Sequence, residues 1–166
     1  MEIIFTKRES GSATLHCVRP DGSETWSNTK HPAMVIHDLI HYVVETEMGF
    51  RRAFYGLVTE GHDISSFGLP VAQRPSALQP ARLPREAHQA EILVGILQAE
   101  RIDGAAYPRF AATLVEVCAL KNVPPPSLSE TTLDALRTRV AQLCHQWQTL
   151  GENETLTLEF NTLTRQ

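Results

Sequence analysis

Hydrophobic and polar positions alternate with a period of two at both ends of the chain, and with a period near 3.6 through most of its middle. Residues 2–7, EIIFTK, are β-branched and aromatic and read as a strand. A polar turn at Glu9–Ser12 leads to a second strand, Ala13–Val18, with Leu15 and Cys17 on one face and His16 on the other. RPDGS at Arg19–Ser23 is a turn: Pro20 presets φ and Gly22 accepts φ > 0. A third strand, Glu24–Ser27, is expected to turn Trp26 inward and complete an antiparallel meander. At the far end, Glu154–Phe160 sets Leu156, Leu158 and Phe160 against Thr155, Thr157 and Glu159. That pattern predicts a half-buried strand returning to pair with the N-terminal meander.

Between these ends the pattern is helical. The segment that organises the rest is Val35–Gly49, VIHDLIHYVVETEMG. At about 100° per residue, Ile36, Leu39, Ile40, Val43 and Val44 form one broad apolar stripe, with Val35 at its margin. Pro32 suits the first turn and Gly49 the left-handed cap. Phe50–Glu60 reads as a shorter helix with Phe54, Leu57 and Val58 on its apolar face, and Gly56 is expected to let it approach the central helix closely. Arg85–Arg101 and Pro108–Asn122 follow as helices, with Glu91 expected in solvent. The last helix runs to about Leu150, with Ser127-x-x-Glu130 as a capping box, Ser129 as the alternative cap and Gly151 at its end. Residues 64–84 are interrupted by Pro70, Pro75, Pro80 and Pro84 and read as an irregular internal loop. This loop is either a surface connection or a flap held by Ile64, Phe67, Leu69 and Val71. As a flap, its Arg74 and Arg82 and the adjoining Arg85 would draw an acidic ligand. The fold expected is α+β: a small antiparallel sheet, N-terminal meander plus C-terminal strand, packed on about five helices in a single domain over residues 1–166.

The chemistry concentrates on the central helix. His37, His41 and Glu45 recur at i, i+4 and i+8, forming a second stripe beside the apolar one. Two imidazoles one turn apart can hold one metal ion, zinc or another divalent transition metal. Glu45, leaning back toward His41, is either a third ligand or the acceptor that fixes the His41 tautomer. Asp38 directly follows the first His, where zinc peptidases of the His-Glu-x-x-His type carry their general base; Asp is one methylene shorter. Glu60, His62 and Asp63 are candidates for a ligand from outside the helix, whereas His16 and His31 read as surface positions. The plain alternative is that these His and acidic residues only cross-link the core.

HDLIHYVVE followed by GFRRAFYGLVTEG, together with a hairpin ending in Arg-x-Asp-Gly, resembles a family of small bacterial proteins. In that family His-Asp-Leu-x-His-Tyr-x-Val-Glu precedes Gly-Phe-aromatic-Gly. The resemblance covers residues 1–61 and rests on His37, Asp38, His41, Tyr42, Glu45, Phe50 and Gly56. The family has no established activity, so the resemblance implies a shared site without naming its chemistry.

Composition narrows the rest. At 166 residues and 42% hydrophobic content, the chain is long enough to bury a proper core. It has no apolar run of membrane-spanning length and no N-terminal signal-peptide pattern, so membrane association is not expected. Three isolated cysteines without a C-x-x-C pair fit a cytoplasmic protein. A net charge of −4 argues against general nucleic-acid binding. No P-loop, dinucleotide-binding, nucleophile-elbow or zinc-finger spacing is present. The leading expectation is a metal-binding protein, in its sharper form a zinc-dependent hydrolase with His37, His41 and Glu45 at the metal and Asp38 as base. The rival is a non-enzymatic module that binds a small molecule or another protein.

Overall fold

The computed structural model describes residues 1–161. Four antiparallel strands form one sheet in the order β3-β2-β1-β4, from β1 (Glu2–Lys7), β2 (Ala13–Val18), β3 (Glu24–Thr29) and β4 (Thr155–Glu159). The C-terminal strand pairs with the first, Ile3 opposite Leu158 and Phe5 opposite Leu156, so both ends of the chain meet in one sheet as the alternation predicted. Ile3, Phe5, Leu15 and Cys17 are buried on the face that the helices cover, and Phe5 meets Trp147 edge-on at 6.3 Å.

Trp26 corrects the sequence reading. It is 61% exposed, opposite His16 on the outer face of the sheet. The pairing of Cys17 with Thr25 fixes the register, so Thr25 points inward and its large neighbour points out. The inward positions of β3 are thus Thr25, Ser27 and Thr29, all polar. The Thr25 hydroxyl accepts the Ile64 amide at 3.1 Å.

Six helices follow: α1 (Pro32–Met48), α2 (Phe54–Thr59), α3 (Ile64–Phe67), α4 (Arg85–Asp103), α5 (Phe110–Leu120) and α6 (Glu130–Thr149). The central helix α1 starts at Pro32 and ends on Gly49, whose φ of 67° lets its amide return to the Glu45 and Thr46 carbonyls. It packs against α4 and α6. Leu39, Ile40, Val43 and Val44 are each at most 1% exposed. Full burial of such side chains stabilises the fold by about 1.5–3 kcal/mol apiece.

Local chemistry adjusts the other helix ends. The segment expected to be helical from Phe50 begins only at Phe54, because the Glu86 carboxylate accepts the Arg51 and Arg52 amides at 2.7 and 2.8 Å and holds that corner open. Gly56 is tight: a Cβ there would lie 1.9 Å from the Arg51 carbonyl oxygen, and its amide donates to Glu45 of α1 at 3.2 Å. Of the two caps read for α6, Ser129 is used, its hydroxyl accepting the Thr132 amide at 3.0 Å. Gly151 does not cap the far end. The chain leaves through Leu150 in an extended conformation, and the Lys7 ammonium donates to the Gln148 and Leu150 carbonyls at 3.3 and 2.7 Å. Residues 64–84 hold α3 and three single 3-10 turns at 71–73, 76–78 and 80–82. Buried Ile64 and Leu78 tie them down. No helix among the described residues is long and apolar enough to cross a membrane.

Candidate metal centre

The polar stripe of α1 does not face solvent. His41 is 2% and Glu45 1% exposed. Phe54 of α2 lies over His41 with ring centroids 5.6 Å apart. Helix α4 runs along the other side in the opposite direction, so Gln98 faces His37 while Glu91, two turns earlier, faces His41.

This antiparallel packing orients both imidazoles. His37 Nδ1 is 3.1 Å from Gln98 Oε1. The Gln98 Nε2 donates to the Ala33 carbonyl at 3.4 Å, which leaves Oε1 as the atom facing the ring. Nδ1 of His37 therefore carries the proton, and Nε2 keeps its lone pair. His41 Nδ1 is 3.3 Å from Glu45 Oε1, and its Nε2 is 3.3 Å from Glu91 Oε1. The two rings are 4.8 Å apart at an interplanar angle of 65°. His37, His41 and Glu91 each offer one ligand atom, all within 4.8 Å of one another, a triad that can hold a metal ion. Zinc at 2.0–2.1 Å from each donor spans at most about 4.2 Å. Glu91 is already 3.3 Å from His41 Nε2, and its side chain is 60% exposed, so binding would draw the three donors slightly closer together.

Glu45 stands behind this triad. Its oxygens accept the Tyr55 and Gly56 amides at 2.9 and 3.2 Å as well as facing His41. Of the two places read for Glu45, the geometry gives the acceptor that fixes the His41 tautomer. The third atom of the triad that could hold an ion belongs to Glu91, which is exposed as the sequence predicts yet sits against His41. The outside candidates do not join the triad: Glu60 pairs with Arg52 at 2.9 Å, Asp63 with Arg19 at 3.6 Å, and His62 is not among the grouped ligand atoms. His16 pairs with Glu24 at 3.0 Å, and His31 sits exposed at the start of α1. Asp38 lines the same cavity as the triad, and its carboxylate has no hydrogen-bond partner among the described residues.

The electrostatics follow from burial and neighbours. Burial lowers the pKa of His41, but hydrogen bonds to Glu45 and Glu91 outweigh it and push the ring up to about 10. Without a metal, His41 is therefore cationic at neutral pH, with its Nε2 proton between ring and Glu91. Burial, and then the His41 charge, hold His37 below its ordinary value, so it is neutral, as a ligand must be. Burial pushes Asp38 up to about 7, with His41 pulling down and Glu91 pushing up. Burial also raises Glu45, against the pull of its three donors.

The triad opens on a cavity of about 530 Å³. Phe54, Phe67 and Met34 give it apolar walls, Ser27 and Thr29 bring the polar inner face of β3, and Arg74 adds a cation from the proline-rich segment. No protein-family model, curated protein or solved structure matches the chain. The roles of these residues rest on their geometry.

Proposed function

We propose that the protein binds a divalent transition metal, zinc best of all, through His37, His41 and Glu91, and uses it to hydrolyse a small molecule held in the cavity. The observation that carries this is the convergence of two imidazoles and one carboxylate on a point that opens to that cavity. Structural zinc sites are closed by four protein ligands, whereas catalytic sites keep three and leave a position for water or substrate. Two His and one Glu form such a set, and each His has an acceptor behind its second nitrogen. The metal would polarise the bond to be cleaved and lower the pKa of a bound water. Asp38 would take that proton; its position on the cavity wall without a hydrogen-bond partner and its pKa near neutrality support that role. The three cysteines are free and buried, which suits a reducing compartment such as the cytoplasm.

The test uses protein purified without an affinity tag, loaded with zinc and dialysed. Elemental analysis should find close to one zinc per chain. His37→Ala, His41→Ala and Glu91→Ala should each abolish it while circular dichroism shows the helices intact. Asp38→Asn should keep the zinc and lose zinc-dependent hydrolysis of aryl esters. A folded wild-type chain that takes up no zinc, or variants that hold it equally well, would overturn the reading.

A further inference from the structure

Arg74 sets the cavity apart from a plain metal pocket. Four other arginines of the described chain are paired with carboxylates: Arg19 with Asp63, Arg52 with Glu60, Arg109 with Glu116 and Arg137 with Glu100. Arg74 lines the same cavity as the triad yet pairs with no carboxylate among the described residues. It is not loose. Its Nε donates to the Leu69 carbonyl at 2.8 Å, which anchors the guanidinium at the turn between Pro70 and Pro75. Its two terminal nitrogens have no protein acceptor among the described residues. They are the donors that bind a planar carboxylate or a phosphoryl group in bidentate fashion.

The rest of the wall limits what such an anion is attached to. Phe54 and Phe67 meet edge-on, 4.9 Å between centroids, and both line the cavity beside Ile64 and Leu83. Asp38 and Glu91 make the metal end acidic until a cation occupies it. An anionic head is therefore favoured at Arg74, with the apolar part of the ligand across the aromatic pair that lines the same cavity.

We infer that the substrate of this site is an organic anion, an apolar body bearing a carboxylate or phosphoryl group, selected by Arg74 and the Phe54–Phe67 wall. The inference rests on the proposed metal site for the ligand's being a substrate, but not for the anion pairing itself.

Phenylacetate, phenylphosphonate and the uncharged phenylacetamide, titrated into zinc-loaded and zinc-free protein and followed by amide chemical shifts, separate the two readings. At least one anion should shift the Ser27, Thr29 and Gly68 amides saturably, and bind about tenfold or more tightly than the amide. That is the smaller end of what a charge-assisted hydrogen bond contributes. The tighter of the two anions identifies the head group. In the zinc-free protein Arg74→Gln should bring both anions down to the level of phenylacetamide, and Arg74→Lys should restore part of the preference. Equal binding of anion and amide by the zinc-free wild-type chain, a preference in the zinc-free protein that survives Arg74→Gln, or no saturable shift with any probe overturns the inference. A chain that takes up no zinc but still selects anions through Arg74 would sink the metal reading and leave this one standing. A zinc-loaded chain indifferent to charge would do the reverse.

Discussion

Replacing Glu45 tests whether the residue that holds the site together is also what makes His41 a ligand. Its carboxylate is 1% exposed and serves three donors: the Tyr55 and Gly56 amides at 2.9 and 3.2 Å and His41 Nδ1 at 3.3 Å. Glu45→Ala leaves two buried amides without acceptors, each costing about 1–3 kcal/mol, and removes one partner of a buried charge pair. The expected loss is about 4 kcal/mol, a large share of the 5–15 kcal/mol typical of a whole domain. Glu45→Gln behaves differently. Its single carbonyl oxygen still serves the amides of α2, so the fold loses only about 1–2 kcal/mol, the difference between charged and neutral hydrogen bonds. Its NH2 group then faces His41 Nδ1, which must give up its proton and become an acceptor, so the one ring proton that remains is held on Nε2. That is the nitrogen the metal needs, so zinc affinity should fall about 10- to 100-fold, the usual effect of losing such a supporting acceptor. Urea unfolding at pH 7 reads the first effect and titration calorimetry with zinc the second. The reasoning is refuted if Glu45→Ala unfolds within about 1 kcal/mol of wild type, or if Glu45→Gln binds zinc as tightly as the parent.

Gly56→Ala puts a Cβ 1.9 Å from the Arg51 carbonyl oxygen, a backbone atom that cannot step aside cheaply. The urea midpoint should drop by the equivalent of about 2 kcal/mol or more, and an unchanged midpoint would show that the α2 corner is softer than drawn. The His41 proton gives a pH signature. With the ring at about 10, zinc must displace one proton at neutral pH, and three pH units at about 1.36 kcal/mol each cost about 4 kcal/mol at pH 7. Zinc affinity should rise about tenfold per pH unit from 7 to 9, with close to one proton released per ion in calorimetry across buffers. Because the folded value lies above the ordinary 6.5, this group stabilises the metal-free fold fully below about pH 6.5, and the contribution is lost as pH rises through about 10. Affinity that is flat over this range would contradict the triad.

The fold was legible wherever a local period had a single meaning. The two-residue alternation of Leu156, Leu158 and Phe160 marked β4, and its apolar face had to join the only other strands in the sequence. Pro32 and Gly49 marked both ends of α1. Trp26 was misread because size suggested burial, while the face it takes is set by register to β2, a long-range property. The inward positions of β3 are Thr25, Ser27 and Thr29, a polar face that looks wrong for a core strand. It makes sense once two of these residues are seen to line a cavity. Gly56 marks a close approach whose tightest neighbour is the chain five residues earlier, while its amide reaches Glu45 of α1.

The candidate site divides along the same line. His37 and His41 are legible because a helix guarantees that residues four apart share a side, whatever the rest of the chain does. Glu91 is not, because its approach depends on how α4 lies against α1 after the proline-rich segment, and no local pattern fixes that register. One signal was present. Glu91 and Gln98 are polar positions seven apart on a helix whose Leu93, Val94, Ile96 and Leu97 are buried, and seven residues is two turns. On α1 the polar stripe also repeats by turns. Two helices with matching polar stripes beside apolar ones bring both stripes together when they pack antiparallel. The sequence offers Glu45, Glu60, His62 and Asp63, near the His pair in the chain, as third ligand, and the fold brings Glu91 beside the pair from the helix that the apolar stripe makes α1's neighbour. The same packing puts Gln98 behind His37 as Glu45 stands behind His41. An acceptor behind each imidazole satisfies the N–H of a ring at a helix interface, and the same arrangement would leave both Nε2 atoms to face one ion.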